Sequence, residues 1–226
     1  MADVDKRAEL LELYDMQEDL IRVDTRENIY REIEAEYQET GKITKQVRTV
    51  RAIIMNTRGR ILLQKRSEDK KYNAGLYDKT LGGHCNHRQQ SNLALVTELA
   101  EELEAPGFVC ENADFLYNLK HINLKVIGMF KNLSYQPRWM SFRKGNASRG
   151  VKDIEQPFMS HFYFGVYDGR FTWADDEVRG MDSFTLEELT ANIRDRPEIF
   201  TRDLHVMMPM YQPHIEAVLE RFEITG

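Results

Sequence analysis

Three glutamates stand close together in the stretch GGHCNHRQQSNLALVTELAEELEAPG, at Glu98, Glu101 and Glu102. On a helix, residues three and four apart are neighbours, so like charges there repel by about 0.2–0.5 kcal/mol per pair. At about 100° per residue the three fall on one side of the helix, while Leu93, Val96, Leu99, Ala100 and Leu103 gather on the other. Either the acidic face is simply solvated, or a cation sits on it. Clustered carboxylate oxygens suit a hard divalent ion such as Mg²⁺ or Mn²⁺, and such ions commonly hold substrate phosphates as well.

The elements around this helix must hold the carboxylates in place. VRTVRAIIMN, from Val47, alternates and is β-branched; NTRG at 56–59 reads as a turn and ILLQKR at 61–66 as the returning strand. DKTLGG at 78–83 predicts a short strand ending in glycines, which let a ligand approach the backbone closely. The acidic helix then starts near Ser91 or Asn92, and Pro106-Gly107 marks its end. Further strands are expected at 114–120, 125–134 and 158–167, with a loop over 135–157 that has no clear period and is expected to be mobile. Residues 5–20 and 24–38 predict helices, the second capped by Asp24, and 185–195 and 203–222 predict two more. The order predicts an α+β or layered α/β domain at 45–226, preceded by a helical extension at 1–44 that packs on it.

The sequence resembles the Nudix hydrolases, whose motif reads G-x5-E-x7-R-E-U-x-E-E-x-G-U with U aliphatic. Gly83 takes the first glycine, and Glu98, Leu99, Glu101 and Glu102 fill E-U-x-E-E. The flanks ILLQKRS, GLYDKTLGGH and EIFTRDL resemble the branch that includes isopentenyl-diphosphate-isomerase-like Nudix proteins. Three positions depart from the motif. Gln89 stands for its first glutamate, Thr97 for the arginine that helps orient the catalytic glutamates, and Glu104 for the closing glycine, with Gly107 a replacement after a short insertion.

The resemblance implies a Nudix-type α/β/α sandwich with a mixed sheet. It also implies metal-dependent hydrolysis of a diphosphate bond in a nucleoside diphosphate linked to another group. Glu98, Glu101 and Glu102 would be catalytic and, with the carbonyl of Gly83, would hold Mg²⁺ or Mn²⁺. Lys65 and Arg66 at the strand end and Trp139 in the long loop are candidates for substrate contact. For Trp139 and Phe142 the competing reading is that they pin the loop to the core. His84 is read first as a hydrogen-bonded structural residue, and His87 is a weaker candidate. Gln89 and Thr97 favour a second reading, a noncatalytic Nudix-fold protein that binds a ligand or partner. Isomerase activity is disfavoured: the isomerases use a cysteine where Gly82 stands, and no histidine precedes His84.

Composition sets outer bounds. The chain has 226 residues with 30% charged and 42% hydrophobic side chains, ordinary for a globular protein. A net charge of −6 does not favour nonspecific nucleic-acid binding. Two cysteines without a CxxC pair predict reduced thiols rather than a zinc site. No apolar run nears the ~18 residues of a membrane span. The expectation is a cytoplasmic protein acting on a small-molecule diphosphate, with no membrane or nucleic-acid partner and with a homodimer left open.

Overall fold

The computed structural model describes residues 9–172 and 178–224. Strands β1 (Leu10–Tyr14) and β2 (Leu20–Thr25) form a hairpin that leads into helix α1 (Arg26–Thr40). Strands β3 (Gln46–Met55), β4 (Ile61–Arg66), β5 (Tyr77–Asp78) and β6 (Leu81–His84) precede helix α2 (Ser91–Leu103). Strand β7 (Gly107–Val109), the short helix α3 (Phe115–Asn118) and the long strands β8 (Gly128–Arg143) and β9 (Ile154–Val166) follow. Strand β10 (Val178–Phe184) and helices α4 (Leu186–Asp195) and α5 (Arg202–Arg221) complete the described chain.

The sheet runs β10-β4-β3-β9-β8-β7, with β1 and β6 also pairing with β3 and β5 with β4. It is mixed: β3 and β9 are parallel, as are β7 and β8, and the other pairings are antiparallel. Alternation along β3 sorts the two faces. Val50, Ala52 and Ile54 meet Leu95, Leu99 and Leu103 of α2, whereas Ile53 and Met55 meet Leu204, Met207 and Tyr211 of α5. This is the expected α/β/α arrangement. Each fully buried leucine of α2 contributes about 1.5–3 kcal/mol of apolar burial, so the acidic helix is fixed by its back.

The β3–β4 hairpin forms as its sequence predicts. Asn56 Oδ1 accepts from the backbone N–H groups of Arg58 and Arg60, and Gly59 takes φ +79° at the turn. The predicted helices at 24–38, 185–195 and 203–222 also form. Thr25, rather than Asp24, caps α1 by accepting from Asn28 N at 3.3 Å.

Three expectations are corrected. The described part of 5–20 is strand and turn, not helix: Leu11 and Leu13 point into the core at a spacing of two, and Asp15 Oδ1 closes the turn by accepting from Gln17 N and Asp19 N. The described part of the extension is therefore a hairpin plus one helix. Residues 114–120 are not a strand but end a 3₁₀ turn and form α3, with Phe115 buried. The long loop at 135–157 is largely strand, paired from Tyr135↔His161 to Arg143↔Ile154. Register shifts between Asn132 and Ser134 and between Gln136 and Trp139, with Arg138 at φ +61°, break the two-residue period that marks a strand.

Candidate active site

Helix α2 carries the three glutamates, with Glu98 and Glu102 half-buried and Glu101 exposed. Its buried side is turned from the expected one: Ala94 and Leu95 are buried with Leu99 and Leu103, whereas Leu93 and Ala100 are exposed, so Glu98 and Glu102 lie beside the packed face rather than opposite it. Glu98 turns back onto β6. A Cβ built on Gly83 would lie 1.9 Å from the Glu98 carboxyl carbon, so only glycine leaves room for the carboxylate there. Burial pushes Glu98 up to about 7, with the charges of Glu101 and Glu9 adding to it; the hydrogen bond it shares with Glu102 and the charge of Arg26 act the other way.

Successive residues of β6 face opposite sides. At Gly82 the same test meets Lys79, whose Cε would lie 2.2 Å from a Cβ. Lys79 belongs to a basic group. Its Nζ pairs with Asp78 Oδ2 at 3.1 Å, and Arg66 Nη1 lies 3.7 Å from the same oxygen. Burial opposes ionisation of Asp78, but Lys79 and Arg66 outweigh it and hold the carboxyl well below its usual range. Nearby, Arg51 pairs with Asp203 at 2.8 Å, and Arg143 donates to Gln156 Oε1 at 2.7 Å and lies over the Tyr72 ring. The end of β6 thus has carboxylates at Gly83 and cations beyond Gly82.

His84 is largely buried and hydrogen-bonded. It shares a 2.7 Å hydrogen bond with Tyr30 Oη, and burial, then the charges of Arg26 and Arg143, drive it down to about 3. His87 is taken up by Glu12, at 2.9 Å. Glu12 also accepts from Tyr14, Arg48 and the backbone of Arg88, tying β1 to the loop before α2.

The other predicted contacts have partners of their own. Lys65 lies over the Tyr77 ring, and Arg66 donates to Tyr72 O at 3.2 and 3.3 Å. Trp139 packs edge-on against Phe162 with its Nε1 3.5 Å from Asp203, in the core on the α5 side of the sheet. The competing reading of Trp139, as a residue that pins its segment to the core, describes this packing.

Two motif departures meet each other. Gln89 Nε2 donates to Thr97 Oγ1 at 3.2 Å, so a neutral pair stands at these positions. Glu104 caps α2 at φ +47°, a backbone that suits the motif's glycine. Gly107 is not a substitute cap, because it already pairs with Gly128 in β7.

A model of the NUDIX domain matches residues 45–204. The chain belongs to the Nudix family. Isopentenyl-diphosphate Delta-isomerase 2 of Aromatoleum aromaticum is 25% identical to it over 154 residues, 68% of this chain and 66% of that protein. Isopentenyl-diphosphate Delta-isomerase of Serratia proteamaculans is 25% identical over 148 residues, 66% of each chain. This Nudix chain therefore spans about two thirds of the length of these curated relatives. The crystal structure of DR0079 from Deinococcus radiodurans shares the fold, with a TM-score of 0.57 and 17% identity over 90% of this chain and 99% of that one.

Among the described residues, no group of three or more His, Cys, Asp or Glu side chains converges as placed on a metal position. The donor chemistry nonetheless fits a divalent cation. Burial first, then the charges of Glu101 and Glu9, raise Glu98; a cation would offset both, and the Gly83 backbone lies against this carboxylate. No helix among the described residues is long and apolar enough to cross a membrane.

Proposed function

We propose that this Nudix chain hydrolyses a diphosphate bond in a nucleoside diphosphate linked to another group. The observation that carries this reading is the two-sided end of β6, where Glu98 covers Gly83 and Lys79 crosses Gly82. A diphosphate laid across this edge meets carboxylates on one side and cations on the other. Glu98, Glu101, Glu102 and the carbonyl of Gly83 would hold Mg²⁺ or Mn²⁺. That ion would neutralise phosphate charge and make a water more acidic. The protein groups do the rest. A carboxylate of α2 takes the proton of the attacking water, the water oxygen bonds to one phosphorus, and the bond to the bridging oxygen breaks. Lys79 and Arg143 would offset the negative charge left on the departing phosphate. Lys65 and Arg66 remain candidates for substrate contact; the packing of Trp139 argues against a direct role for it.

The neutral Gln89–Thr97 pair supports the second reading, a Nudix-fold protein that binds without turnover, and it also favours a slow hydrolase. Isomerase activity, suggested by the relatives' names, has less support, because glycine stands at position 82, where the isomerases use a cysteine, and no histidine precedes His84. Phosphate release from a panel of diphosphates with Mg²⁺ and with Mn²⁺ is the test. Hydrolysis that Glu102→Gln abolishes, in a variant that still folds, is the expected result. A folded parent that binds neither ion and cleaves no substrate, with Glu102→Gln indistinguishable from it, overturns the proposal.

A further inference from the structure

Gln156, Phe158 and Ser160 follow one another on β9 at a spacing of two, so they share one face of the sheet. Arg51 of β3 lies on the same face. Its Nε donates to Ser160 Oγ at 3.1 Å, and its guanidinium lies 5.2 Å from the Phe158 ring centre. In the β3–β6 ladder Arg51 stands opposite Gly82, the residue that Lys79 crosses. Across the β8–β9 ladder Gln156 is paired with Ser141, and Arg143 sits two residues further on, diagonal to it. Sheet register thus gathers Arg51, Lys79, Arg143 and Gln156 on one face.

Two features of this group are unsatisfied. Gln156 is 1% exposed, and its Oε1 accepts from Arg143 Nη1 at 2.7 Å, yet its Nε2 has no hydrogen-bond partner. Buried amide nitrogens nearly always have one, so an acceptor is missing here. The second feature is charge. Asp78 is shared by Lys79 and Arg66, and Asp203 is taken by Arg51, by Ser141 Oγ and by the backbone of Phe142. Among the described residues no carboxylate pairs with Arg143, which has only Gln156 and the Tyr72 ring, 4.3 Å away. Four cations therefore meet two carboxylates, a surplus of two positive charges in a place largely closed to water. Such a surplus is costly unless a counter-ion enters.

A single ligand group answers both. A terminal phosphate carries nearly two negative charges and offers several acceptor oxygens. The guanidinium fork matches two of them, and an amide N–H can take a third. A carboxylate brings half the charge.

We propose that Arg143 and Gln156, with Lys79 beside them, bind a terminal phosphate, and that the group linked to the nucleoside diphosphate in the substrate ends in one. The metal on the acidic side would offset the diphosphate to be cleaved, which leaves the cationic surplus for this second group. The substrate class rests on the hydrolase reading, whereas the binding of phosphate does not.

The first measurement is calorimetry of inorganic phosphate with the full chain, free of divalent metal. Gln156→Glu keeps an acceptor for Arg143 and replaces the unpartnered N–H donor by a negative oxygen. It should fold at least as well as the parent, by urea unfolding, yet repel the anion. Gln156→Glu and Arg143→Gln are each expected to weaken phosphate binding about 10-fold or more, with Arg194→Gln, an exposed arginine paired with Asp195, unchanged. A crystal structure with phosphate should place the ion on Arg143 and Gln156. The second measurement compares kcat/KM with Mn²⁺ for nucleoside triphosphates and for the matching nucleoside diphosphate sugars. The parent should prefer the triphosphates, and Arg143→Gln should reduce that preference about 10-fold or more. A parent that binds no phosphate, equal binding by Gln156→Glu, or a preference for the sugars overturns the proposal. Phosphate bound as expected with no turnover of any substrate ends the hydrolase reading and upholds the phosphate site. Turnover by a parent that binds no phosphate upholds the hydrolase reading and ends this one.

Discussion

Gln89 and Thr97, the two residues that replace the charged positions of the Nudix motif, are hydrogen-bonded to each other across the entry to α2, at 3.2 Å. Gln89 is also an anchor for its loop, because its Oε1 accepts from Asn86 N at 2.9 Å. Gln89→Ala removes both contacts and should destabilise the protein by about 1–2 kcal/mol. Gln89→Glu keeps an acceptor for Asn86 and for a rotated Thr97 hydroxyl, and should cost less than about 1 kcal/mol. Urea unfolding of the two variants and the parent checks the order.

Glu104 holds a left-handed backbone at the end of α2, which costs a non-glycine residue about 1–2 kcal/mol. Glu104→Gly relieves this strain but adds freedom to the unfolded chain. The net expected gain is about 0.5–1 kcal/mol, a Tm rise of roughly 1–4 °C for a chain of this size. Calorimetry measures it; an unchanged or lower Tm would show that the Glu104 side chain contributes more than its backbone strain costs.

Gly83→Ala tests the close approach at the acidic site. The added methyl overlaps the Glu98 carboxylate and must move it. Under the hydrolase reading, kcat should fall by about 10²-fold, the usual size of an ångström-scale misplacement. Gly180→Ala, which meets nothing within 4 Å, serves as the control and should leave kcat as it is.

Glu12 gives the protein an acid-sensitive contact. Burial alone would raise its pKa, but hydrogen bonds from Tyr14 and the Arg88 backbone, the Arg48 charge and His87 bring it from 4.5 down to about 2. A carboxyl lowered by folding stabilises the fold fully above its unfolded pKa, and the contribution fades as pH falls through the folded value. Glu12→Gln should therefore be less stable than the parent at pH 6, with the gap closing between about pH 4.5 and 2. Denaturant midpoints measured across that range check this, and a gap independent of pH would contradict it.

The sequence by itself determined the parts whose signal is local. The spacing of Glu98, Glu101 and Glu102 against Leu99 and Leu103 specifies a helix but not how it is turned: Leu93 and Ala100, expected on its apolar back, are exposed, and Ala94 and Leu95 are buried instead. The Asn56–Gly59 turn specifies the hairpin before it. Two glycines ahead of the helix mark a backbone that something approaches. The course of β8 was hidden, because its bulges break the period at the positions where a strand would be read. The β1–β2 hairpin was hidden because its leucines fit a helical spacing as well as an alternating one. Only the tertiary structure decided what surrounds the carboxylates. Lys79 and Arg143 reach the far side of β6 because β6 and β9 both pair with β3 and β8 pairs with β9. Glu9 and Arg26 reach the β6 edge because β1 pairs with β3 and the backbone of His87 bonds to Leu10 O at 2.7 Å. Hydrophobic period is a property of neighbours along the chain, whereas a charged site is assembled from residues far apart in it, and their meeting depends on sheet order and register.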